Sequence, residues 1–157
     1  MKWVTRERPK IDRIACPWLI RRFIDRDAEI LYVPTSDVLR AAQQEPAIPF
    51  DVPGVELTHD GPCCSFDAFL KRYGLGDPAL ARLATIVRAA DTDTLHLSPQ
   101  APGLLAISLG LGANFPNDQD LLKAGLVIYD ALYAWCQTLT AERHGWSPEA
   151  VLKEMDQ

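Results

Sequence analysis

The sequence predicts an α+β protein: a small N-terminal sheet of about three strands packed with a helix-rich C-terminal half. Three observations carry that prediction. Short strand-like runs occur only in the first 60 residues. Beyond them the chain is punctuated by helix starts such as Asp77-Pro78 and Ser98-Pro99. The 157 residues are 48% hydrophobic and 24% charged, enough for one core and a single domain over 1–157.

KWVTRER alternates apolar and polar residues, the period of a half-buried strand. In IDRIACPWLIRRFID, Pro17 has no N–H to give to a helix interior. The regular helix is therefore expected to start at Cys16 or Pro17 and to end near Ile24. EILYVP reads as a second strand, closed by Pro34. Ser36 or Asp37 is placed to cap a short helix over VLRAAQQE. IPFDVPGVELTHDG is rich in turns and is expected to hold a third strand at VELTH. Ser65 then caps FDAFLKRYG, a helix stopped at Gly74. Asp77-Pro78 opens ALARLATIVRAAD, and Ser98-Pro99 repeats the device before APGLLAISLGLG, a helix weakened by its glycines. The longest helix is expected from Asp118 to about Thr140, and SPEAVLKEM is a short last one.

Several function classes are disfavoured by composition. The net charge of −5 argues against non-specific binding to nucleic acid or anionic membranes. Four cysteines contain no CxxC pair, so zinc-ribbon and thioredoxin chemistry is absent. MKWVTRERPKIDR has no apolar core of a signal peptide, and no apolar run reaches membrane-spanning length. The expectation is a cytoplasmic protein with reduced thiols and no membrane partner.

Acids on apolar faces are the informative anomalies. Leu80, Ala84, Val87 and Asp91 fall on one helical stripe, so Asp91 prolongs an apolar face. Leu126, Val127 and Asp130 share a face with Tyr133 and Ala134, which puts Asp130 in a core stripe. A buried carboxylate needs a cation or several donors. The plain reading is that Asp91 ends its helix and Asp130 pairs with an arginine. The sharper one gathers both acids with His59 in a shared polar centre.

Arg13, Arg21 and Arg22 surround the first helix, whose apolar stripe is Ile14, Trp18, Leu19 and Phe23. Their forks suit carboxylates and tetrahedral oxyanions alike. Internal pairing, for example of Arg22 with Asp91 or Asp130, competes with an oxyanion pocket floored by helix N-termini.

The stretch HDGPCCSFD, residues 59 to 67, concentrates reactive groups around a Gly-Pro turn. Adjacent Cys63 and Cys64 are not expected to form a disulfide, because bridging neighbours strains the backbone. Cys64 precedes the predicted helix cap, where the dipole would lower its pKa and make it a redox thiol; the alternative is a small buried hydrophobe. Asp67 falls in the first turn, where an acid complements the dipole. His59, Asp67, Asp91 and Asp130 together offer one nitrogen and several oxygens. That set suits manganese, iron or zinc as a divalent cofactor, although the spacing matches no strong metal signature.

KWVTRERPKIDRIACPWLIRRFID, VELTHDGPCCSFDAFLKRYGL, LATIVRAADTD, GLLAISLGL and YDALYAW resemble the chromate resistance protein ChrB family, specifically its C-terminal chromate-resistance domain. The resemblance covers nearly the whole chain. It implies an association with chromate resistance and with chromate-responsive control of an efflux transporter. The family pattern falls on Asp12, Arg13, Trp18, Arg21, Arg22, His59, Cys64, Phe66, Asp91 and Asp130; at position 67 the family often has Glu. Longer members carry an extra N-terminal region, so DNA binding by this domain alone is not expected.

Three readings stay open at this point. One is a sensing or binding domain for an oxyanion such as chromate, with Arg13, Arg21 and Arg22 as its attractors. The second is a hydrolytic or redox enzyme using a metal held by His59, Asp67, Asp91 and Asp130. The third is a scaffold acting through a homodimer, with Tyr133, Trp135 and Trp146 at the interface.

Overall fold

Trp3 and Val4 enter two different cores, and this makes β1 (Lys2–Arg6) the centre of the sheet. The computed structural model describes residues 1–157. β2 (Glu29–Val33) and β3 (Ile48–Pro49) flank β1 in the order β2-β1-β3, both pairs parallel, with Lys2 opposite Glu29 and Trp3 opposite Ile48. Parallel neighbours need crossovers. α1 (Asp12–Leu19) lies between β1 and β2, and α2 (Val38–Gln44) between β2 and β3. Trp3 joins the main core with α1, α3 (Ser65–Arg72), α4 (Pro78–Asp91) and α6 (Asp118–Thr138). Val4 joins a small second core with Val38, Ala47 and Val52. α5 (Ala101–Asn114) and α7 (Pro148–Met155) complete the α+β architecture, and no helix is long and apolar enough to cross a membrane.

α1 starts at Asp12, earlier than expected, and Pro17 lies inside it. The helix then continues as a π-helical turn over Ile20–Ile24. The carbonyl deprived of its partner by Pro17 is that of Arg13, four residues back. Tyr32 donates its hydroxyl to that oxygen at 2.7 Å. A tertiary hydrogen bond thus replaces the lost helical one, which sequence reading had no means to foresee.

The strand expected at VELTH is not formed. The partner edge of β1 is taken by Ile48–Pro49, and residues after it turn back on themselves, with Asp51 N–H donating to Leu57 O at 2.8 Å. The alternation in VELTH comes from a loop that buries Leu57 and projects His59.

α3 is capped differently from the expectation. Its N-cap is Cys64, whose N–H donates to Asp67 at 3.0 Å, while the Ser65 hydroxyl turns away to Asp51. Gly74, at φ 61, follows the helix as expected. Asp77 caps α4 by accepting the Ala79 N–H at 2.9 Å. α5 begins at Ala101, where APGLLAISLGLG was expected to start, but Ser98 does not cap it: its hydroxyl engages the Gln100 side chain instead of a helix N–H. Asn117 and Ser147 cap α6 and α7.

The buried face of α6 is Leu122, Gly125, Tyr129, Tyr133 and Cys136. Val127, Ala134 and Asp130 lie outside it, so the expected core stripe is rotated. Gly125 is the reason: it sits against Ile14, and a Cβ there would lie 2.4 Å from Ile14 Cγ2. A glycine does not register as apolar, yet here it permits a close approach of α6 to Ile14 of α1.

Candidate metal centre

Asp12, at the start of α1, sends its carboxylate to the N-terminus of α3. It accepts the Ser65 N–H at 2.7 Å and the Phe66 N–H at 3.0 Å, two donors that the helix itself cannot satisfy. Asp51, at φ 51, comes from the loop after β3. Arg6 reaches its Oδ2 at 2.8 Å, Arg13 Nε lies 3.4 Å away, and the Ser65 hydroxyl donates to its Oδ1 at 2.7 Å. Asp91 is the last residue of α4 and continues the buried face of Leu80, Ala84 and Val87. Its Oδ1 accepts the Asp12 N–H at 3.3 Å.

His59 closes the group. Its Nε2 lies 3.0 Å from Asp91 Oδ2, 3.3 Å from Asp51 Oδ1 and 3.6 Å from Asp12 Oδ2. The imidazole is 39% exposed, whereas Asp12 and Asp51 are buried. The centre therefore has a buried acidic floor and one face open to solvent.

Electrostatics make this floor demanding. Burial pushes the Asp12 carboxyl well up from its ordinary value, with Asp91 and Asp51 adding to the rise and the Ser65 N–H opposing it. Burial and Asp51 likewise raise Asp91, against His59, the Asp12 N–H and Arg13. Arg6 and Arg13 attend to Asp51, and one Nε2–H serves only one acceptor. His59, Asp12 and Asp91 each offer one ligand atom, all within 4.8 Å of one another. One nitrogen and two carboxylates fit a divalent cation of the manganese, iron or zinc type.

His59 and Asp91 thus come together as their sequence positions suggested, but the other two expected metal ligands stand elsewhere. Asp67 forms a two-pronged pair with Arg88, at 2.9 Å to Nε and 2.7 Å to an η nitrogen. Asp130 is 59% exposed, which corrects the expectation of a buried acid; it accepts from Arg22 at 2.7 Å and from Trp18 Nε1 at 2.8 Å. The internal pairing of Arg22 is therefore the one observed, with its guanidinium also 4.7 Å from the Tyr133 ring centroid.

The three arginines do not share a pocket. Arg13 donates to the carbonyls of Arg6 and Glu7 and faces Asp51. Arg21 Nε donates to Ala28 O at 3.1 Å. Arg21 and Arg22 line an open cleft of about 340 Å³ with Trp18, Leu126 and Asp130.

Cys64 is buried, and burial, then Asp12 and Asp67, push its thiol up. This reverses the lowering expected from the helix dipole, because burial penalises the thiolate most and the neighbouring Asp12 and Asp67 carboxyls add to that penalty. Cys63 is the half-buried neighbour, on a cleft of about 600 Å³ with Thr58, Asp60, Asp67, Lys71 and Arg72; none of the three clustered ligands lines it. Of the proposed interface aromatics, Tyr133 is buried, Trp135 is half-buried and Trp146 is exposed.

Sequence reasoning missed Asp51 altogether and gave Asp12 no place among the ligands. Asp12 fell on the family pattern, but it stood ahead of the expected helix start at Cys16 or Pro17, so nothing local aimed its carboxylate at a shared centre. Asp51 lies in a turn-rich stretch where no periodicity predicts burial.

Comparison with known proteins agrees with this geometry in extent. Residues 3–136, which include every residue of the cluster, match the family described as "ChrB, C-terminal domain". Protein ChrB of Cupriavidus metallidurans is 37% identical over 133 residues, covering 84% of this chain. The chain spans 40% of the length of that relative. No solved structure matches the chain. By the match over residues 3–136, this chain belongs to the ChrB C-terminal domain family.

Proposed function

We propose that this domain binds a divalent cation through His59, Asp12 and Asp91 as part of a chromate-resistance response, and that it works as a binding or sensing module. The observation that carries the reading is the convergence of three carboxylates on His59 Nε2, with Asp91 at 3.0 Å and Asp12 at 3.6 Å. Family membership supplies the chromate context. Asp51, neutralised by Arg6 and Arg13, would support the centre without being a ligand.

An oxyanion has little reason to approach this floor directly, since the carboxylates repel it. A bound cation changes the sign of the local field. The exposed side of His59 leaves room for a further ligand on that cation, and an oxyanion there would couple metal binding to anion sensing. Arg13, Arg21 and Arg22 are engaged with protein oxygens, so the reading gives the anion to the metal centre and not to an arginine pocket. Transcriptional regulation would then follow through whatever the domain is joined to or contacts.

The same open face also favours a second reading, a metal-dependent enzyme, because catalytic metals keep exchangeable positions whereas structural ones do not. Elemental analysis of protein purified without added metal tests both. About one equivalent of manganese, iron or zinc is expected, falling below about a tenth in His59→Ala and Asp91→Asn. A wild-type protein with no bound metal, and no rise in melting temperature on adding millimolar Mn²⁺, Fe²⁺ or Zn²⁺, sinks the reading. If metal binds, a chromate-dependent shift in melting temperature that needs the metal separates sensing from simple metal storage.

A further inference from the structure

Asp12 and Asp91 meet at one peptide unit, and that unit is clamped from its far edge. The Ile11–Asp12 peptide gives its N–H to Asp91 Oδ1 at 3.3 Å. Its carbonyl, Ile11 O, accepts the Tyr129 hydroxyl at 3.0 Å, beside the Ala15 N–H at 2.8 Å and the Ile14 N–H at 3.1 Å that open α1. No peptide in the chain is cis, and in a trans peptide the N–H and C=O point in opposite directions. Tyr129 and Asp91 therefore hold the two edges of the same plane. The preceding peptide is held too, since Ile11 N–H donates to the Ser108 hydroxyl at 3.0 Å. Ile11, Ser108 and Tyr129 are all buried.

The clamp has a task. Ile11 adopts φ 40 and ψ −93, a conformation a β-branched residue keeps only where its surroundings over-determine it. The two hydroxyls, one from α5 and one from α6, add a tertiary constraint to the one imposed by the first helical bonds of α1. Directly after the strained residue comes Asp12, whose carboxylate reaches α3 and faces His59.

We propose that Tyr129, assisted by Ser108, is a positioning residue for the metal centre: its hydroxyl fixes the Ile11–Asp12 peptide and so sets where the Asp12 and Asp91 carboxylates stand relative to His59 Nε2. The consequence for metal binding rests on the reading above; the clamp on the peptide does not. Packing alone does not explain the residue. The Tyr129 ring lies 6.4 Å from Trp18, and a phenylalanine would keep that contact while losing the hydroxyl. Nor is the phenol itself suited to be a ligand, because its oxygen points at Ile11 O.

Tyr129→Phe tests this with two readouts. In metal-stripped protein, the Asp12 amide is expected to exchange with solvent about tenfold faster relative to amides in the middle of α4, which report global stability. In calorimetric titrations with Mn²⁺, Co²⁺ and Zn²⁺, affinity is expected to fall about tenfold or more, the usual effect of losing an outer-shell hydrogen bond. Ser108→Ala should change both in the same direction by less, and it carries the same readouts if Tyr129→Phe does not fold. An Asp12 amide unchanged relative to α4 overturns the clamp. A loosened amide with wild-type metal affinity shows a merely structural hydroxyl and overturns the positioning role. A wild type that binds none of these ions at millimolar concentration sinks the metal reading and with it the positioning role, while the Asp12 amide alone decides the clamp.

Discussion

Asp12 Oδ2 accepts the Ser65 backbone N–H at 2.7 Å, so the first turn of α1 caps the first turn of α3 from 53 residues away. The same carboxylate takes the Phe66 N–H through its other oxygen. One side chain therefore serves the fold and the candidate centre together.

Asp12→Ala is expected to destabilise the protein by about 2–4 kcal/mol, because two buried N–H groups lose their acceptor. Asp12→Asn should cost less, since one amide oxygen can still accept. Urea unfolding of metal-stripped protein measures both. An alanine variant with the wild-type midpoint would show that water or another acceptor replaces the carboxylate. For the same reason His59 and Asp91 variants, and not Asp12 variants, are the clean probes of binding.

The Asp67–Arg88 pair gives a pH-dependent contribution. Burial pushes Asp67 up, but Arg88 and the Cys64 N–H outweigh it, and the carboxyl ends below its ordinary value of 3.8. A depressed folded-state pKa stabilises above the unfolded value and loses that stabilisation as pH falls through the folded one. Asp67→Asn is expected to cost about 2 kcal/mol near neutral pH, a charge-assisted, partly buried contact. The gap between variant and wild type should shrink as pH drops below 3.8. A constant gap from neutral pH to pH 3 would count against the ion pair.

Thiol chemistry is predicted to be confined to one site. Cys16, Cys64 and Cys136 are buried and their thiols are pushed up by burial, whereas Cys63 is only half-buried. An aromatic disulfide reagent should label one thiol quickly under native conditions, and peptide mass spectrometry should identify Cys63. Fast labelling of Cys64 would restore that residue as a redox thiol.

The α1–α6 contact is predicted to be intolerant of added volume. Gly125→Ala brings a methyl within 2.4 Å of Ile14 Cγ2 and is expected to cost about 1–3 kcal/mol. Pairing it with Ile14→Ala should recover part of the loss by thermal denaturation. Additive losses would indicate that the helices separate instead of repacking.

Much of this architecture was legible in the residues. Asp77-Pro78 announced α4, the longest helix was expected from Asp118 where α6 begins, and the Leu80–Ala84–Val87 stripe led to Asp91, whose side chain is only 16% exposed. Local rules suffice there because capping and apolar periodicity act within a few turns. They failed where a distant group supplied the missing partner: Tyr32 for the carbonyl opposite Pro17, Asp12 for the N–H groups of α3, and Gly125 for the face of α6.

The sequence by itself determined an α+β chain, its helix starts, and a His59–Asp91 pairing worth seeking. Only the tertiary structure decided that Asp12 and Asp51 complete the acidic floor and that Asp67 and Asp130 belong to ion pairs elsewhere. The physical reason is that a carboxylate's role depends on which cation or donor lies within about 3–4 Å, and folding brings those partners from far along the chain.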